Sequence, residues 1–234
     1  MDPVLSGCEV RSLAQNTRYL NANRCLAQNT RYLTANQNYS ILNGTEHQGF
    51  LCLIKVEIVI CVVTGSRLRG LLSAEHCIQM CQLACRSLDF VMVDPWEAKQ
   101  STYQRTLTVL CRVKNYLCKN TLVPVGSLKV MLICDSDLLE SFRKSFWILE
   151  QVQAIVRDFG VACIRRERQD VEKMLSDDPI LRENQNNIMI VDEFIPNQIS
   201  STRIRDCISR GLSVKYLTAD EVIAYIQKHH LYTL

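Results

Sequence analysis

Apolar residues follow two alternating patterns from about residue 50 to the end of the chain. Short runs that are apolar at nearly every position are typical of strands buried on both faces, and we predict such strands at 56–63, 90–94, 128–134, 161–164 and 187–194. Between them, apolar residues recur at three- and four-residue spacing, which predicts amphipathic helices. The predicted helices cover 73–86, 101–120, 149–158, 170–175 and 218–230, with shorter ones beginning near Asp137 and Ser200. Capping boxes are predicted at Ser101-x-x-Gln104 and Thr218-x-x-Glu221, and Asp137-x-x-Glu140 is predicted to cap the helix that follows it.

This alternation of strand and helix predicts an α/β fold. Strands that are apolar throughout belong to parallel sheets covered on both faces, and right-handed crossovers then give a doubly wound sheet. Ligands of such sheets bind at the carboxyl ends of the strands. Residues that bind a ligand are therefore expected at those ends.

Residues 1–50 have a different pattern. The segment Leu-Ala-Gln-Asn-Thr-Arg-Tyr-Leu occurs at 13–20 and again at 26–33. Two copies are too few for a solenoid, and the segment is rich in Asn and Gln and poor in aliphatic residues. We predict a flexible extension over 1–50 and a folded domain over 51–234; a short amphipathic helix docked on the domain is the alternative.

The strongest candidate for a binding site follows the strand at 187–194. A helix begins there, and the backbone N–H groups of a first helical turn have no partners within the helix, so they attract anions. Three hydroxyls and two arginines share this turn: Ser200, Ser201, Thr202, Arg203 and Arg205. The pattern favours a phosphate site, and an ordinary helix cap with surface arginines remains the alternative.

Two further strand ends carry polar residues. Gly65 and Ser66 follow the first predicted strand, and Asp135-Ser136-Asp137 follow the third. Because the carboxyl ends of parallel strands lie at one edge of the sheet, these loops and the hydroxyl-rich helix should face the same crevice. This arrangement predicts a nucleotide site.

Composition narrows the class of protein. The chain of 234 residues has a net charge of +3 and is 22% charged, so charge alone does not indicate nucleic-acid binding. Its twelve cysteines include no Cys-x-x-Cys pair, and Cys77, Cys81 and Cys85 fall on one helical face, as in a packed apolar stripe. No apolar run is long enough to span a bilayer. We expect no membrane partner and a reducing compartment, cytoplasmic or nuclear.

Several motifs resemble those of eukaryotic, plant-like nicotinamide/nicotinate-mononucleotide adenylyltransferases. They are Val-Asp-Pro-Trp-Glu at 93–97, Asp-Leu-Leu-Glu-Ser-Phe at 137–142 and, above all, Asn-Gln-Ile-Ser-Ser-Thr-Arg-Ile-Arg at 197–205. The resemblance covers about residues 56–234. It implies a Rossmann-like nucleotidyltransferase that joins the mononucleotide to ATP, giving NAD or its deamido form and pyrophosphate.

The resemblance also implies roles for residues. The ATP phosphates would be bound by Gly65, Ser66, Ser201, Thr202, Arg203 and Arg205, with Mg²⁺ arriving on the ATP. The ribose and adenosine would contact Asp137, Arg166 and Asn197, and the pyridine ring would contact Tyr103, Thr106 and Trp147. The residue pattern itself favours Trp96 as a core residue over a site residue, and Tyr103 as an ordinary surface residue remains an alternative.

The chain departs from the family pattern after its first strand. The family has Gly-Ser-Phe-Asn-Pro-x-Thr-x-x-His followed by a helix and a strand, whereas here only Arg67-Leu-Arg69 separates Ser66 from Gly70. Since a parallel crossover takes about a dozen residues or more, we predict that one helix–strand unit is absent. The family histidine is absent with it.

A second departure is Asp135, which stands at a glycine of the family. We expect its carboxylate to crowd the backbone and to place negative charge beside the phosphates, with Arg67 and Arg69 as compensating cations. These departures leave an alternative function, a catalytically inactive nucleotide-binding relative. RNA binding through the basic helix is weaker, because no aromatic platform accompanies the arginines. The amide or acid preference and a homo-oligomer are left open.

Overall fold

The computed structural model describes the backbone of 31–38 and 54–61, and the residues 72–88, 91–120, 128–166, 169–192 and 199–233. The strands are β1 Arg31–Asn38, β2 Ile54–Cys61, β3 Val91–Asp94, β4 Leu128–Asp135, β5 Val161–Ile164 and β6 Ile188–Val191. The helices are α1 Ala74–Cys85, α2 Thr106–Asn120, α3 Ser136–Ser141, α4 Leu149–Ala154, α5 Val171–Asp177, α6 Pro179–Glu183, α7 Ser201–Ser209 and α8 Asp220–Lys228. A π-helical turn, Ile155–Phe159, extends α4.

The described strands form one six-stranded sheet in the order β3-β2-β1-β4-β5-β6. β2 pairs with β3 in parallel, and β4, β5 and β6 are parallel to one another. β1 is antiparallel to both β2 and β4, so β2 and β4 run in the same direction. Five of the six strands therefore share one direction, and the predicted parallel, Rossmann-like sheet is confirmed for them.

The antiparallel strand β1 differs from what the sequence pattern predicts. It begins in the second copy of the duplicated segment, and Tyr32 lies opposite Ile60 of β2 on one side and Ile133 of β4 on the other. Composition indicates a flexible extension here, but a strand between two others pairs backbone groups on both sides, whatever its side chains. Arg31–Asn38 is thus a strand rather than a flexible segment. The boundary near residue 50 stays a prediction, and the first copy lies outside the described residues.

The core lies on both faces of the sheet. From β4, Val130, Leu132 and Cys134 pack into one cluster with residues of α2 and α4, which we call the first core. Met131 and Ile133 point to the other face and pack into a cluster with residues of α1, α7 and α8, which we call the second core. Helices on both faces are the mark of a doubly wound sheet.

Three predicted helix starts are wrong in detail. α2 begins at Thr106 rather than after Ser101, and the Gln104 amide donates to the Thr102 carbonyl instead of capping the helix. The N-cap of α8 is Ala219, with no side-chain cap, so Thr218 and Glu221 form no capping box. The cap of α3 is Asp135, not Asp137. Capping motifs recur in loops because short polar side chains also hydrogen-bond nearby backbone there.

The cysteine pattern is confirmed where the structure describes it. Cys77, Cys81 and Cys85 are buried along α1, and each cysteine whose side chain the structure describes is a free thiol. Burial raises the pKa of the Cys85 thiol to about 11, as expected for a packed side chain. Among the residues that the structure describes, no helix is both long and apolar enough to cross a lipid bilayer.

Gly160, between the π-helical turn and β5, has a conformation that other residues rarely adopt, with φ of 89° and ψ of 167°. A Cβ there would lie 2.8 Å from the backbone oxygen of Asn187. We expect Gly160→Ala to lower the free energy of unfolding by about 3 kcal/mol, measured by urea denaturation.

Gly211→Ala is the matched control, because Gly211 also has a positive φ of 69° but a Cβ there would meet no atom within 4 Å. This substitution should lower the free energy of unfolding by about 1 kcal/mol, which is the cost of a left-handed backbone conformation at a residue with a Cβ. Equal losses for the two variants would contradict the close approach to Asn187.

Candidate functional site

The carboxyl ends of the parallel strands lie at one edge of the sheet. The pairing places Asp94 next to Cys61 in β3 and β2, and Asp135 next to Ile164, which in turn lies next to Val191, across β4, β5 and β6. Arg165 continues this edge, since its N–H donates to the Val191 carbonyl at 2.9 Å. The predicted residues Gly65, Ser66 and Asn197 lie outside the described residues.

Two of the predicted site residues, Asp137 and Arg166, are in direct contact. Nη1 of Arg166 lies 2.7 Å from Oδ2 of Asp137, and its Nη2 lies 3.1 Å from Oδ2 of Asp135. The Arg166 N–H donates to Oγ of Ser136 at 3.0 Å, which ties the end of β5 to the start of α3. The side chains of Asp137 and Arg166 are 49% and 43% exposed, so this pair faces solvent and a ligand can reach it.

Asp135 does not crowd the backbone, contrary to the expectation from its place at a family glycine. Its φ of −89° and ψ of 169° are ordinary extended values. Its carboxylate caps α3 by accepting the Leu138 N–H at 3.0 Å. Arg166 pairs with it, and Arg67 and Arg69 lie outside the described residues.

The neighbouring Arg165 joins the ends of β5 and β6 to α5. Its guanidinium donates to Asp192 at 2.6 Å and to both carboxylate oxygens of Glu172, at 2.5 and 2.7 Å. These hydrogen bonds, the one to Glu172 first, raise the pKa of Arg165 and lower the pKa of Glu172 to about 2. Arg165 is therefore occupied by structural contacts at this edge.

The hydroxyl-rich turn opens α7, and its first hydroxyl is an ordinary cap. Oγ of Ser200 accepts the Arg203 N–H at 3.2 Å, so the N-cap interpretation is correct for Ser200. Ser201 is half-buried, and Thr202 and Arg203 are exposed. Phosphate binding by these residues stays a prediction, on a nine-residue helix whose N-terminus favours anions.

Arg205 is half-buried between α7 and its neighbours. Its Nη2 donates to Oγ1 of Thr202 at 3.3 Å. Its charge also acts on the Cys77 thiol and the Tyr232 phenol, whose pKa values are raised mainly by burial and lowered in part by Arg205. Ile204, fully buried in the second core, fixes the helix on the sheet. The guanidinium thus stands beside the first turn of α7.

The three residues predicted for the pyridine ring differ in their exposure. Thr106 is buried at the start of α2, whereas Tyr103, just before it, is 67% exposed. Trp147 is half-buried against the first core, its Nε1–H donates to Oγ of Ser141 at 3.1 Å, and its ring meets Phe142 edge to face at 4.8 Å. Trp147 is therefore held in place, and Tyr103 remains the surface residue of the set.

Trp96 has structural contacts near the end of β3. It packs against the first core, and the guanidinium of Arg112 covers its ring at 4.6 Å from the centroid. Arg112 also pairs with Asp94 at the end of β3. These contacts agree with the interpretation of Trp96 as a core residue.

Comparison with known proteins assigns this chain to a family. A model of the cytidylyltransferase-like family matches residues 52–207. Nicotinamide/nicotinic acid mononucleotide adenylyltransferase of Arabidopsis thaliana is 64% identical over 166 residues, which cover 70% of each chain. The chain belongs to the nicotinamide/nicotinic acid mononucleotide adenylyltransferases.

Other comparisons agree with this assignment. The Oryza sativa adenylyltransferase is 59% identical over 165 residues, which cover 70% of this chain and 66% of that one. The structure of Plasmodium falciparum nicotinic acid mononucleotide adenylyltransferase, complexed with APC, matches with a TM-score of 0.54 at 18% identity, over 75% of this chain and 82% of that one. At that identity the likeness supports the fold alone.

Within this adenylyltransferase, the side-chain partners of Asp137 are not evident from the sequence. Gln169 donates from Nε2 to Oδ1 of Asp137 at 2.6 Å, and Asp135 shares Arg166 with it. Gln169 lies 32 positions from Asp137 in the chain. No local pattern pairs such distant residues; only the adjacency of β4 and β5 brings them together.

The fall in the free energy of unfolding at acid pH should depend in part on Glu172. Its pKa is lowered in the folded state, so its contribution is present above the ordinary value of 4.5 and is lost as the pH falls towards 2. We expect Glu172→Gln to be less stable than the wild type at pH 7 and as stable near pH 2, measured by urea denaturation. Because this carboxylate is exposed, the difference should be small and should shrink in high salt.

The control is the same comparison in an Arg165→Met background. With the guanidinium absent, the pH-dependent effect of Glu172→Gln should shrink to the part that the backbone hydrogen bond of Glu172 supports. A pH dependence of undiminished size without Arg165 would contradict the assigned main cause.

Proposed function

We propose that this chain transfers the adenylyl group of ATP to nicotinamide or nicotinate mononucleotide, giving NAD or deamido-NAD and pyrophosphate. The observation that carries the proposal is the 64% identity to the Arabidopsis thaliana adenylyltransferase. Two groups of residues support it, because each suits one part of a nucleotide. They are Asp135, Asp137 and Arg166 at the ends of β4 and β5, and the hydroxyl-rich turn that opens α7. The comparisons give no support to the alternative of an inactive relative.

The chemistry requires positioning and charge neutralisation. The mononucleotide phosphate attacks the α-phosphorus of ATP in line, the bond to the β-phosphate oxygen breaks, and pyrophosphate leaves with the electron pair. Such transfers depend on orienting the reactants and on stabilising the charge of the leaving group. Thr202, Arg203 and Arg205 offer a hydroxyl and two cations at the N-terminus of α7, where the backbone adds its own positive potential. Ser201 supplies the second hydroxyl of this turn.

Asp137 and Arg166 suit the neutral part of the nucleotide. A carboxylate accepts hydrogen bonds from a pair of ribose hydroxyls, and a planar guanidinium contacts a base face or edge. The Asp137–Arg166 pair lies at the edge where β4 and β5 end and is half-exposed, so a ligand can reach both groups. Asn197 joins them in this proposal as a contact on the adenosine side.

Mg²⁺ enters this proposal as part of the ATP complex. The described residues contain no group of three or more His, Cys, Asp or Glu side chains placed to hold a metal ion. Mg²⁺ prefers oxygen ligands and commonly keeps substrate phosphates among them. The triphosphate therefore supplies ligands that the described side chains do not, and the ion neutralises charge on the phosphates.

Changing both arginines of α7 should impair the use of ATP. We expect Arg203→Ala with Arg205→Ala to lower kcat/KM for ATP about 100-fold or more, since each removes a cation from the phosphates. The assay is NAD formation from mononucleotide, ATP and Mg²⁺ by the purified protein. Arg210→Ala is the control, because Arg210 lies at the other end of α7, where it pairs with Asp206. No NAD formation by the wild type would favour the inactive relative, and equal effects of the two changes would contradict the phosphate role.

Binding of the pyridine ring should be visible in tryptophan fluorescence, because the chain has only two tryptophans. In Trp96→Phe, the remaining Trp147 should be quenched when nicotinamide mononucleotide is added without ATP, because a stacked pyridine ring contacts the indole. In Trp147→Phe, the remaining Trp96 should report no such change. Quenching seen only in Trp147→Phe would mean that Trp96, and not Trp147, contacts the pyridine ring.

A further inference from the structure

Gln169 makes a short hydrogen bond to Asp137, the carboxylate proposed to contact the ribose. Its Nε2 donates to Oδ1 of Asp137 at 2.6 Å, while Nη1 of Arg166 lies 2.7 Å from Oδ2 of the same carboxylate. The amide nitrogen is the group that faces Asp137, because an amide oxygen at this distance would be repelled by the carboxylate. Asp137 is therefore held at both of its oxygens.

Contacts to both oxygens fix the plane of the Asp137 carboxylate. The terminal torsion of an aspartate is broad, so a carboxylate that is held at one oxygen can still rotate. Arg166 holds Oδ2, and Gln169 supplies the second point at Oδ1. A carboxylate has about four lone-pair sites, two on each oxygen. Beside the site that each partner uses, each oxygen thus has a further site that can face a ligand.

Both partners of Asp137 come from the turn that follows β5. The N–H of Gln169 donates to the carbonyl of Arg166 at 3.2 Å, which closes the turn. The N–H of Arg166 donates to Oγ of Ser136 at 3.0 Å, which ties the turn to the start of α3, where Asp137 lies. Residues 167–168 lie outside the described residues, and the argument needs only the two ends of the turn.

The other end of the Gln169 amide is poorly used by the fold. Its Oε1 is buried and has no hydrogen-bond partner among the described residues. A buried acceptor that is left unpaired costs free energy, whereas an apolar group of the same shape does not. An apolar side chain at this position would therefore suit the fold about as well, and the hydrogen bond to Asp137 is what the amide adds.

We propose that Gln169 is a positioning residue for the ribose of ATP. It holds the carboxylate of Asp137 so that one oxygen accepts a hydrogen bond from each of the two adjacent ribose hydroxyls. Gln169 acts through Asp137 and sets the preference of this site for ribonucleotides over 2′-deoxyribonucleotides. This proposal rests on the proposed function, because it needs the ribose of ATP to lie at Asp137.

The experiment compares ATP with 2′-deoxy-ATP, which lacks one of the two hydroxyls. Calorimetric titration of the purified full chain with each nucleotide, with Mg²⁺ and without mononucleotide, measures binding in the absence of turnover. We expect Gln169→Met to bind ATP about tenfold more weakly than the wild type, since one hydrogen bond to a charged group is lost. Binding of 2′-deoxy-ATP should be unchanged, because a carboxylate that rotates can still accept from a single hydroxyl.

The melting temperature should separate this role from a structural one. Gln169→Met removes the unpaired Oε1 together with the donor, and water can reach the half-exposed Asp137 in place of Nε2. We therefore expect the melting temperature to change by less than about 2 °C. In an Asp137→Ala background, Gln169→Met should have no effect on the preference between the two nucleotides, because the residue through which it acts is absent.

Two control variants should leave that preference as it is in the wild type. Asn187 also donates through its amide, to the carbonyls of Val156 and Arg157 at 2.7 and 2.9 Å, but it precedes β6 and so lies near the opposite edge of the sheet. Asn187→Ala should lower the melting temperature and leave the preference unchanged. Arg168→Met tests the neighbouring cation, and a loss of preference equal to that of Gln169→Met would overturn the role of the Gln169 amide.

The remaining outcomes also decide the proposal. If Gln169→Met weakens the binding of both nucleotides by the same factor, or of neither, the positioning role is wrong and the proposed function stands. If the wild type binds neither nucleotide, the proposed function fails and this proposal fails with it. Gln169→Leu, which also lacks the amide, should behave like Gln169→Met and decides the question if the methionine variant does not fold.

Discussion

The structure depends on the burial of β4 on both of its faces. Every residue of this strand except Lys129 is buried, and its side chains enter the first and second cores by turns. A strand covered in this way cannot shift its register by one residue without moving each apolar side chain to the wrong core. The position of Asp135, the last residue of the strand, is therefore fixed by packing far from any ligand, and the start of α3 is fixed with it.

Two consecutive arginines at the end of β5 show how this rigidity is used. Side chains of neighbouring residues in an extended chain point to opposite sides. Arg165 turns towards Asp192 and Glu172 and joins β6 and α5 to the sheet, while Arg166 turns towards Asp135 and Asp137. One guanidinium thus stabilises the edge, and the other is presented at it. An Arg-Arg pair in a sequence gives no sign of this division.

The apolar runs predict where the parallel strands lie, and for β4 and β5 they also predict burial, since every residue there except Lys129 is buried. The prediction of burial is wrong for β3, where Met92 is 45% exposed, and β6 ends at Val191 instead of residue 194. Cys77 and the α1 stripe, the cap at Ser200 and the end of α4 at Gly160 are equally local features, and local patterns identify them. The capping boxes predicted at Ser101 and Thr218 are wrong because the same local pattern of residues also occurs in loops. The contacts of Asp137 with Arg166 and Gln169 depend on which strands are neighbours, and single-sequence patterns do not contain that information. β1 was missed because its backbone, not its composition, supports it.

The place of β1 has a consequence for handling the protein. It supplies the hydrogen bonds between β2 and β4, so within the described strands it joins a parallel pair to a parallel triplet. A deletion or proteolytic cut that detached residues 31–38 would turn two interior strands into open edges, each a row of unpaired N–H and C=O groups able to recruit strands of other chains. Loss of this N-terminal segment would therefore appear as aggregation rather than as a simple shortening.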